Sequence, residues 1–167
     1  MDRRSLLKWA TGALSGLVGA AVAGPIVTFV GHPLGRSQRR SAALPVADLT
    51  SLPEGVPVKT AVILPLFRDA WSRFEKVPLG AVWLLRRGEQ VQALSATCPH
   101  AGCFIDFEPK AGHFACPCHG SAFDLDGHPT AGPSPRPMDG LAAEVREGKV
   151  LVAFARFRQG LPNKEEI

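Results

Sequence analysis

The sequence predicts an all-β fold, a small antiparallel β-barrel or sandwich, behind one N-terminal transmembrane helix. Three observations predict it. Residues 9–30 carry no charged side chain. From about residue 47 the chain is a succession of short apolar runs broken by glycine, proline and acidic residues, the pattern of strands and turns. All four cysteines fall in two short blocks between residues 98 and 118, so one stretch of the β-domain carries a different chemistry from the rest. The 167 residues suffice for one domain with a real core and an appendage.

The elements follow in order. Residues 9–30, as a helix with a rise of ~1.5 Å per residue, extend ~33 Å and suit a hydrocarbon core of ~30 Å. Gly12, Gly16, Ala20 and Gly24 recur every fourth residue, a small-residue stripe that permits close approach of another helix. Residues 1–8 precede this span, and Arg3-Arg4-Ser5-Leu6-Leu7-Lys8 resembles a twin-arginine export signal, which addresses proteins that fold before crossing. That signal places the N-terminus inside and the domain outside. Ala21-Val22-Ala23-Gly24 also satisfies the small-residue rule for signal cleavage. Apolar residues continue through Val30, so the span is read as a retained anchor. Residues 31–46 lack apolar periodicity and hold Gly31, Pro33, Gly35 and Pro45 with four polar or basic neighbours from Arg36 to Arg39, the composition of a hinge.

The domain occupies residues 47–167. Val58 to Leu64 predicts a strand. Residues 81–85 and 91–94 flank Gly88-Glu89, and Val145 and 150–154 flank Glu147-Gly148, predicting two hairpins. Residues 113–115 lead extended into the second cysteine block. Phe67, Ala70, Trp71 and Phe74 fall at helical spacing and predict a short packed helix over 66–75.

The formal net charge of +4 divides unevenly. Residues 1–40 carry six basic side chains and one acid, or +5, and the other 127 residues carry 13 basic and 14 acidic side chains, or −1. A phosphate-binding surface needs its charge on the domain, so nucleic acid is set aside. No nucleophile–base constellation or phosphate-binding glycine loop is visible. His32, His113 and His128 lack a partner at ligand spacing and read as surface residues; Asp106, Glu108 and Asp126 read as turn residues.

The two blocks are Cys98-Pro99-His100-Ala101-Gly102-Cys103 and Cys116-Pro117-Cys118-His119-Gly120-Ser121. Each offers a Cys, a His and a second Cys. Cys98, His100, Cys116 and His119 are a Cys2His2 set that could hold one tetrahedral zinc or two irons, with thiolates on one and imidazoles on the other. Cys103 and Cys118 are left over, one per block, and an exported chain with two spare cysteines is expected to pair them.

The blocks, separated by fifteen residues between His100 and Cys116, resemble those of the Rieske iron–sulfur subunits of cytochrome bc1 and b6f complexes, the gap being nearer the b6f pattern. Gly132-Pro133-Ser134-Pro135-Arg136-Pro137 resembles the family's proline loop. The resemblance implies a Rieske-type β-domain whose cluster-binding part spans about 95–138, and one [2Fe–2S] cluster. It implies that Cys98 and Cys116 ligate the inner iron and His100 and His119 the outer one, with His119 as the chief quinone contact. It further implies that Ser121 donates a hydrogen bond to a bridging sulfide. The chain would then be an electron carrier within a quinol:cytochrome c oxidoreductase, working with a cytochrome b-type subunit and a c-type cytochrome at a bacterial inner membrane, its domain on the periplasmic side.

Two positions depart from the family pattern. Phe123 stands where relatives have a hydroxyl-donating tyrosine, and the chain contains no tyrosine. One lost hydrogen bond of ~1.4 kcal/mol corresponds to about 60 mV for one electron, so a lower potential, suited to menaquinol rather than ubiquinol, is expected. Ala101 stands where bc-type relatives have leucine, shielding the site less. Rival readings are the small Rieske subunit of a molybdenum oxidoreductase such as arsenite oxidase, a ring-hydroxylating dioxygenase ferredoxin, and a zinc-binding ectodomain. The proline loop, Ser121 and the hinge argue against the first, and residues 1–30 with the spare cysteine pair against the second.

Overall fold

The structure, a computed structural model, describes residues 2–31 and 42–167. Two units result, one on either side of the undescribed segment. In the first, α1 (Arg3–Gly31) is a single helix containing Pro25. Its window of high hydropathy is long and apolar enough to cross a membrane. Asp2 begins it, its carboxylate accepting from the Ser5 amide at 2.7 Å, an N-terminal cap of the usual kind. Near its other end the Thr28 hydroxyl donates to the Pro25 carbonyl at 2.9 Å. Of the predicted hinge, residues 32–41, with His32, lie outside the described residues.

The second unit is all-β, as expected. Its strands are β1 (Ala43–Asp48), β2 (Val58–Arg68), β3 (Arg73–Arg87), β4 (Gln90–Ser95), β5 (Asp106–Glu108), β6 (His113–Cys116), β7 (Ser121–Phe123), β8 (Pro129–Ala131), β9 (Gly140–Arg146) and β10 (Lys149–Ala153). Six form one antiparallel sheet in the order β1-β10-β9-β4-β3-β2, whose outer strands β1 and β2 approach each other so that the sheet nearly closes. The four short strands β5 to β8 form a second sheet inserted between β4 and β9.

The turns explain the hairpins. Glu147 and Gly148 have φ of +51° and +74°, the left-handed pair that a two-residue turn between right-twisted strands requires. Residues 82–85 of β3 are buried on both faces rather than alternating. Val82 and Leu84 join the core of the six-stranded sheet, while Trp83 joins the core under the inserted sheet. Both faces of β3 are therefore covered, and a continuous apolar run is what such a strand needs. Trp83 also locks the insert in place. Its ring packs at 5.3 Å from Phe114, and its indole N–H donates to the Ile105 carbonyl at 3.0 Å. Lys59 adds an ion pair to Asp106 at 2.6 Å.

Three expectations are corrected. The segment counted as hinge to residue 46 ends earlier, because β1 begins at Ala43 and pairs with β10; Pro45, which has no N–H to give, is tolerated on this outer strand beside a register shift. The helix over 66–75 does not form. Phe67 and Phe74 are instead cross-strand partners in the β2–β3 hairpin, with ring centroids 6.2 Å apart. The Asp69 carboxylate accepts from the amides of Trp71 (2.8 Å) and Ser72 (2.6 Å) and so builds a turn between them. The aromatic residues of this segment do not pack into a core either; Trp71 is 94% exposed. Asp106 and Glu108 lie within β5 rather than in turns.

Candidate metal centre

Both cysteine blocks fold into the same kind of turn. The Gly102 amide donates to the Cys98 carbonyl at 2.9 Å, and the Gly120 amide to the Cys116 carbonyl at 3.1 Å. Each turn thus closes from its first residue to its fifth. Each opens with Cys-Pro, where proline presets φ. Each ends on glycine at positive φ, +79° at Gly102 and +71° at Gly120, a conformation that glycine adopts without strain. The first turn sits inside the Thr97–Phe104 bridge. The second connects β6 to β7, whose ends Cys116 and Ser121 are paired. Histidine falls third in the first turn and fourth in the second.

The turns bring the predicted donors together in pairs. Cys98 and Cys116 are unbridged and buried. Burial holds the Cys98 thiol above its ordinary pKa, against the pull of the His100 amide, and Cys116 beside it adds to the rise. The rings of His100 and His119 stand edge to face, with centroids 4.8 Å apart and planes at 89°. His100 is half-buried and His119 exposed. Cys103 and Cys118 are joined as a disulfide, their Cα atoms 6.6 Å apart. Cys116 Sγ lies within 4.8 Å of both bridge sulfurs, and among the described residues this is the one group of three donor atoms gathered so closely. With two of those sulfurs bonded to each other, the free donors are the thiol pair and the imidazole pair. His113 and His128 stand apart, 4.0 Å from Glu108 and 3.6 Å from Asp124.

Ser121 is 1% exposed, and its hydroxyl has no hydrogen-bond partner among the described residues. A buried hydroxyl without a partner costs ~1–3 kcal/mol unless a group outside the polypeptide accepts from it. A sulfide of an iron–sulfur cluster is such a group. Two thiols, two imidazoles and an orphaned donor fit a [2Fe–2S] cluster.

The loop of residues 132–137, expected as a proline loop, begins against the second turn. Gly132 has φ of +85°, and a Cβ there would stand 2.6 Å from the Gly120 carbonyl oxygen and from the Ser121 amide nitrogen. Only glycine lets this loop rest on the second turn.

Other supporting residues were not legible as such. Arg136, quoted only as part of the proline loop, is buried, as is Asp139. The two form a paired-donor ion bridge, with N–O distances of 3.0 and 2.9 Å. Arg136 also donates to the carbonyls of Leu161 (2.6 Å) and Arg158 (2.9 Å), so it fastens the C-terminal segment to the proline loop. That segment in turn reaches the first turn, where the Gly160 amide donates to the Pro99 carbonyl at 2.8 Å. The signal in sequence was weak: an Arg and an Asp three residues apart, with nothing to mark them as buried.

The family model of the Rieske [2Fe–2S] domain matches residues 44–152. The menaquinol:cytochrome c reductase iron–sulfur subunit of Geobacillus thermodenitrificans is 29% identical over 95% of this chain and 94% of its own length. The cytochrome b6-f complex iron–sulfur subunit of Chlorobaculum tepidum is 27% identical over 92% of this chain and 76% of its own. A chain of a solved hyperthermophilic respiratory Complex III is 22% identical, covering 86% of this chain and 98% of its own, with a TM-score of 0.45. The names of the two iron–sulfur subunits agree with the resemblance read from the cysteine blocks. The family match runs from β1 into β10 and encloses both metal-site turns and the proline loop, and the chain belongs to the Rieske [2Fe–2S] family.

Proposed function

We propose that this chain is the iron–sulfur subunit of a bacterial bc-type quinol:cytochrome c oxidoreductase, with menaquinol favoured over ubiquinol. The observation that carries the reading is the pair of matched turns, which set two buried thiols behind two perpendicular imidazoles. Relatives spanning nearly the whole chain that are named as menaquinol:cytochrome c reductase subunits support it. Cys98 and Cys116 would hold one iron as thiolates, and His100 and His119 would hold the other. A [2Fe–2S] cluster with this ligand set supplies one-electron chemistry at a potential raised by imidazole in place of thiolate.

The chain's own residues do the rest. His119 is exposed, and with the cluster bound its free ring nitrogen would face a quinol hydroxyl and take up the proton that quinol releases on oxidation. His100 is the second such position, more enclosed. The Ser121 hydroxyl donates toward the cluster and favours the more negative reduced state. Phe123 offers no second donor, which keeps the potential below that of a tyrosine-bearing site. The Cys103–Cys118 bridge fastens one turn to the other, and the proline loop shields the third side.

A cytochrome b-type subunit forms the other wall of the quinol site, and a c-type cytochrome receives the electron. Helix α1 anchors the chain by a single pass. The Arg3-Arg4 signal sets the N-terminus in the cytoplasm and the domain on the periplasmic side of the inner membrane. The hinge expected from the composition of the segment after α1 lets the domain travel between its partners. The reading as a small subunit of a molybdenum oxidoreductase is not favoured, since full-length relatives carry bc-type names. Purification in mild detergent through a C-terminal tag tests the assignment. Co-purifying cytochrome b and c subunits are the expected result; a molybdopterin subunit would overturn it.

A further inference from the structure

The β2–β3 hairpin is longer than the sheet that carries it. β4 pairs with β3 only from Val82 to Arg87, whereas Arg73 to Ala81 pair with β2 alone. The inner part of this ribbon is covered: Val62 is fully buried, Leu79 packs on the core and its carbonyl accepts from Arg156, and Gly80 lies against the Phe154 ring. Beyond it, Leu64–Arg68 paired with Arg73–Val77, about five residues a side or ~16 Å at the strand rise, extend past the barrel. The chain enters the metal-binding insert at Ala96, whose amide donates to the Ala81 carbonyl, so ribbon and insert leave the sheet on the same side.

A two-stranded ribbon is marginal in water by itself, and this one is apolar at its end. Trp71 at the turn is almost wholly exposed, and Phe67, Phe74 and Leu66 are each nearly half exposed. They are not confined to one face. Phe67 and Phe74 share one side of the ribbon and Leu66 lies on the other. A protein surface pressed against one side would leave the other wet; a lipid interface surrounds the end. Directly behind Trp71, Arg68 and Arg73 stand opposite each other across the ribbon. Like charges so placed repel, and they invite an anion. Arg73 reaches Glu75 at 3.2 Å, while Arg68 and Lys76 have no acidic partner among the described residues. The nearby acid, Asp69, has one carboxylate oxygen, Oδ1, held by the two turn amides and pairs with neither arginine. Trp71 lies in the turn beyond the arginines, so an end that sinks its indole to the ~5–10 Å depth of interfacial apolar groups leaves the two guanidinium groups nearer the headgroups.

We propose that the tip of this hairpin is a lipid-interface anchor, with Trp71 at the level of the upper acyl chains, Arg68 and Arg73 on the phosphates of anionic phospholipid, and Phe67 and Phe74 behind them among the headgroups. The inference rests on the reading of α1 as a membrane anchor, which keeps the domain close to a bilayer. It goes beyond the redox role.

The test uses the full chain with its cluster, carrying Trp9→Phe so that Trp71 and the buried Trp83 are the remaining tryptophans. It is reconstituted into phosphatidylcholine vesicles with or without phosphatidylglycerol, and some vesicles contain lipid brominated near the headgroup end of the chain. The expected result is Trp71 emission quenched by the bromolipid, more strongly with phosphatidylglycerol present, and absent when Trp71→Ser is added. Arg68→Gln and Arg73→Gln should each lower the inserted-to-free ratio roughly fivefold, the equivalent of about 1 kcal/mol per basic residue at an anionic surface. Emission that stays quenchable by aqueous iodide and untouched by bromolipid would overturn the proposal. So would shielding from iodide that arises only with the cytochrome b subunit present, which would assign the tip to a protein contact. The reduced-cluster EPR signal of the same samples reads the redox assignment separately, so either reading can fail without the other.

Discussion

Ser121 and Phe123 sit two residues apart on β7, both buried, and only one carries a hydroxyl. Their contributions to the potential should be opposite when changed. Ser121→Ala removes a donor and is expected to lower the midpoint by about 60 mV, the equivalent of one hydrogen bond of ~1.4 kcal/mol. Phe123→Tyr adds a hydroxyl and is expected to raise it by a similar ~60 mV. A potentiometric EPR titration of the three proteins measures both. A third residue-scale prediction concerns Gly132. Ala there meets the Ser121 backbone and adopts positive φ, strain of about 1–3 kcal/mol. Gly132→Ala should therefore lower cluster occupancy, read from the iron-to-protein ratio, and bring the midpoint of chemical unfolding down with it.

At the scale of elements, two fastenings hold the site, and each can be released separately. The Cys103–Cys118 bridge closes a separation of 15 residues, worth ~3 kcal/mol in the chain-entropy account. Replacing both with serine should lower the unfolding free energy by about that amount and make cluster loss faster at a given temperature. Arg136 ties the proline loop to the C-terminal segment. Removing one partner of a buried ion pair costs about 3–5 kcal/mol, so Arg136→Ala should destabilise more than the serine pair does. Hydrogen exchange at the Gly160 amide should quicken selectively, because the segment it belongs to loses its clamp on Leu161 and Arg158. An Arg136 variant that unfolds less readily than the disulfide variant would contradict this order.

Across the whole molecule, legibility followed the strength of local chemistry. The hairpins around Gly88 and Gly148 could be read because their turns need left-handed residues at fixed places. The two metal-site turns could be read because Cys-Pro and a closing Gly recur around histidines, although the spacing alone left zinc open. The segment 66–75 misled for a definite reason. Residues seven apart lie on one face of a helix, yet they also pair across a four-residue turn, and periodicity does not separate the two. Asp69 decided in favour of the turn by taking the amides a helix would have used otherwise. Strands β5, β7 and β8 have three residues each, too few to show a period. The Arg136–Asp139 pair was illegible because charges three apart in a proline-rich loop ordinarily face water, and burial depends on the C-terminal segment folding back over them.

Taken together, the barrel supplies a rigid base, Trp83 pins the insert to it, and the insert offers two imidazoles at matched turns. Low-temperature EPR of membranes that contain the full chain, reduced with ascorbate and recorded with and without a quinol-site inhibitor, tests that account most directly. It predicts a Rieske-type [2Fe–2S] signal that changes shape when the inhibitor binds and disappears in Cys98→Ser and His119→Ala. Membranes rich in the protein but lacking such a signal, or a signal indifferent to occupancy of the quinol site, would contradict it.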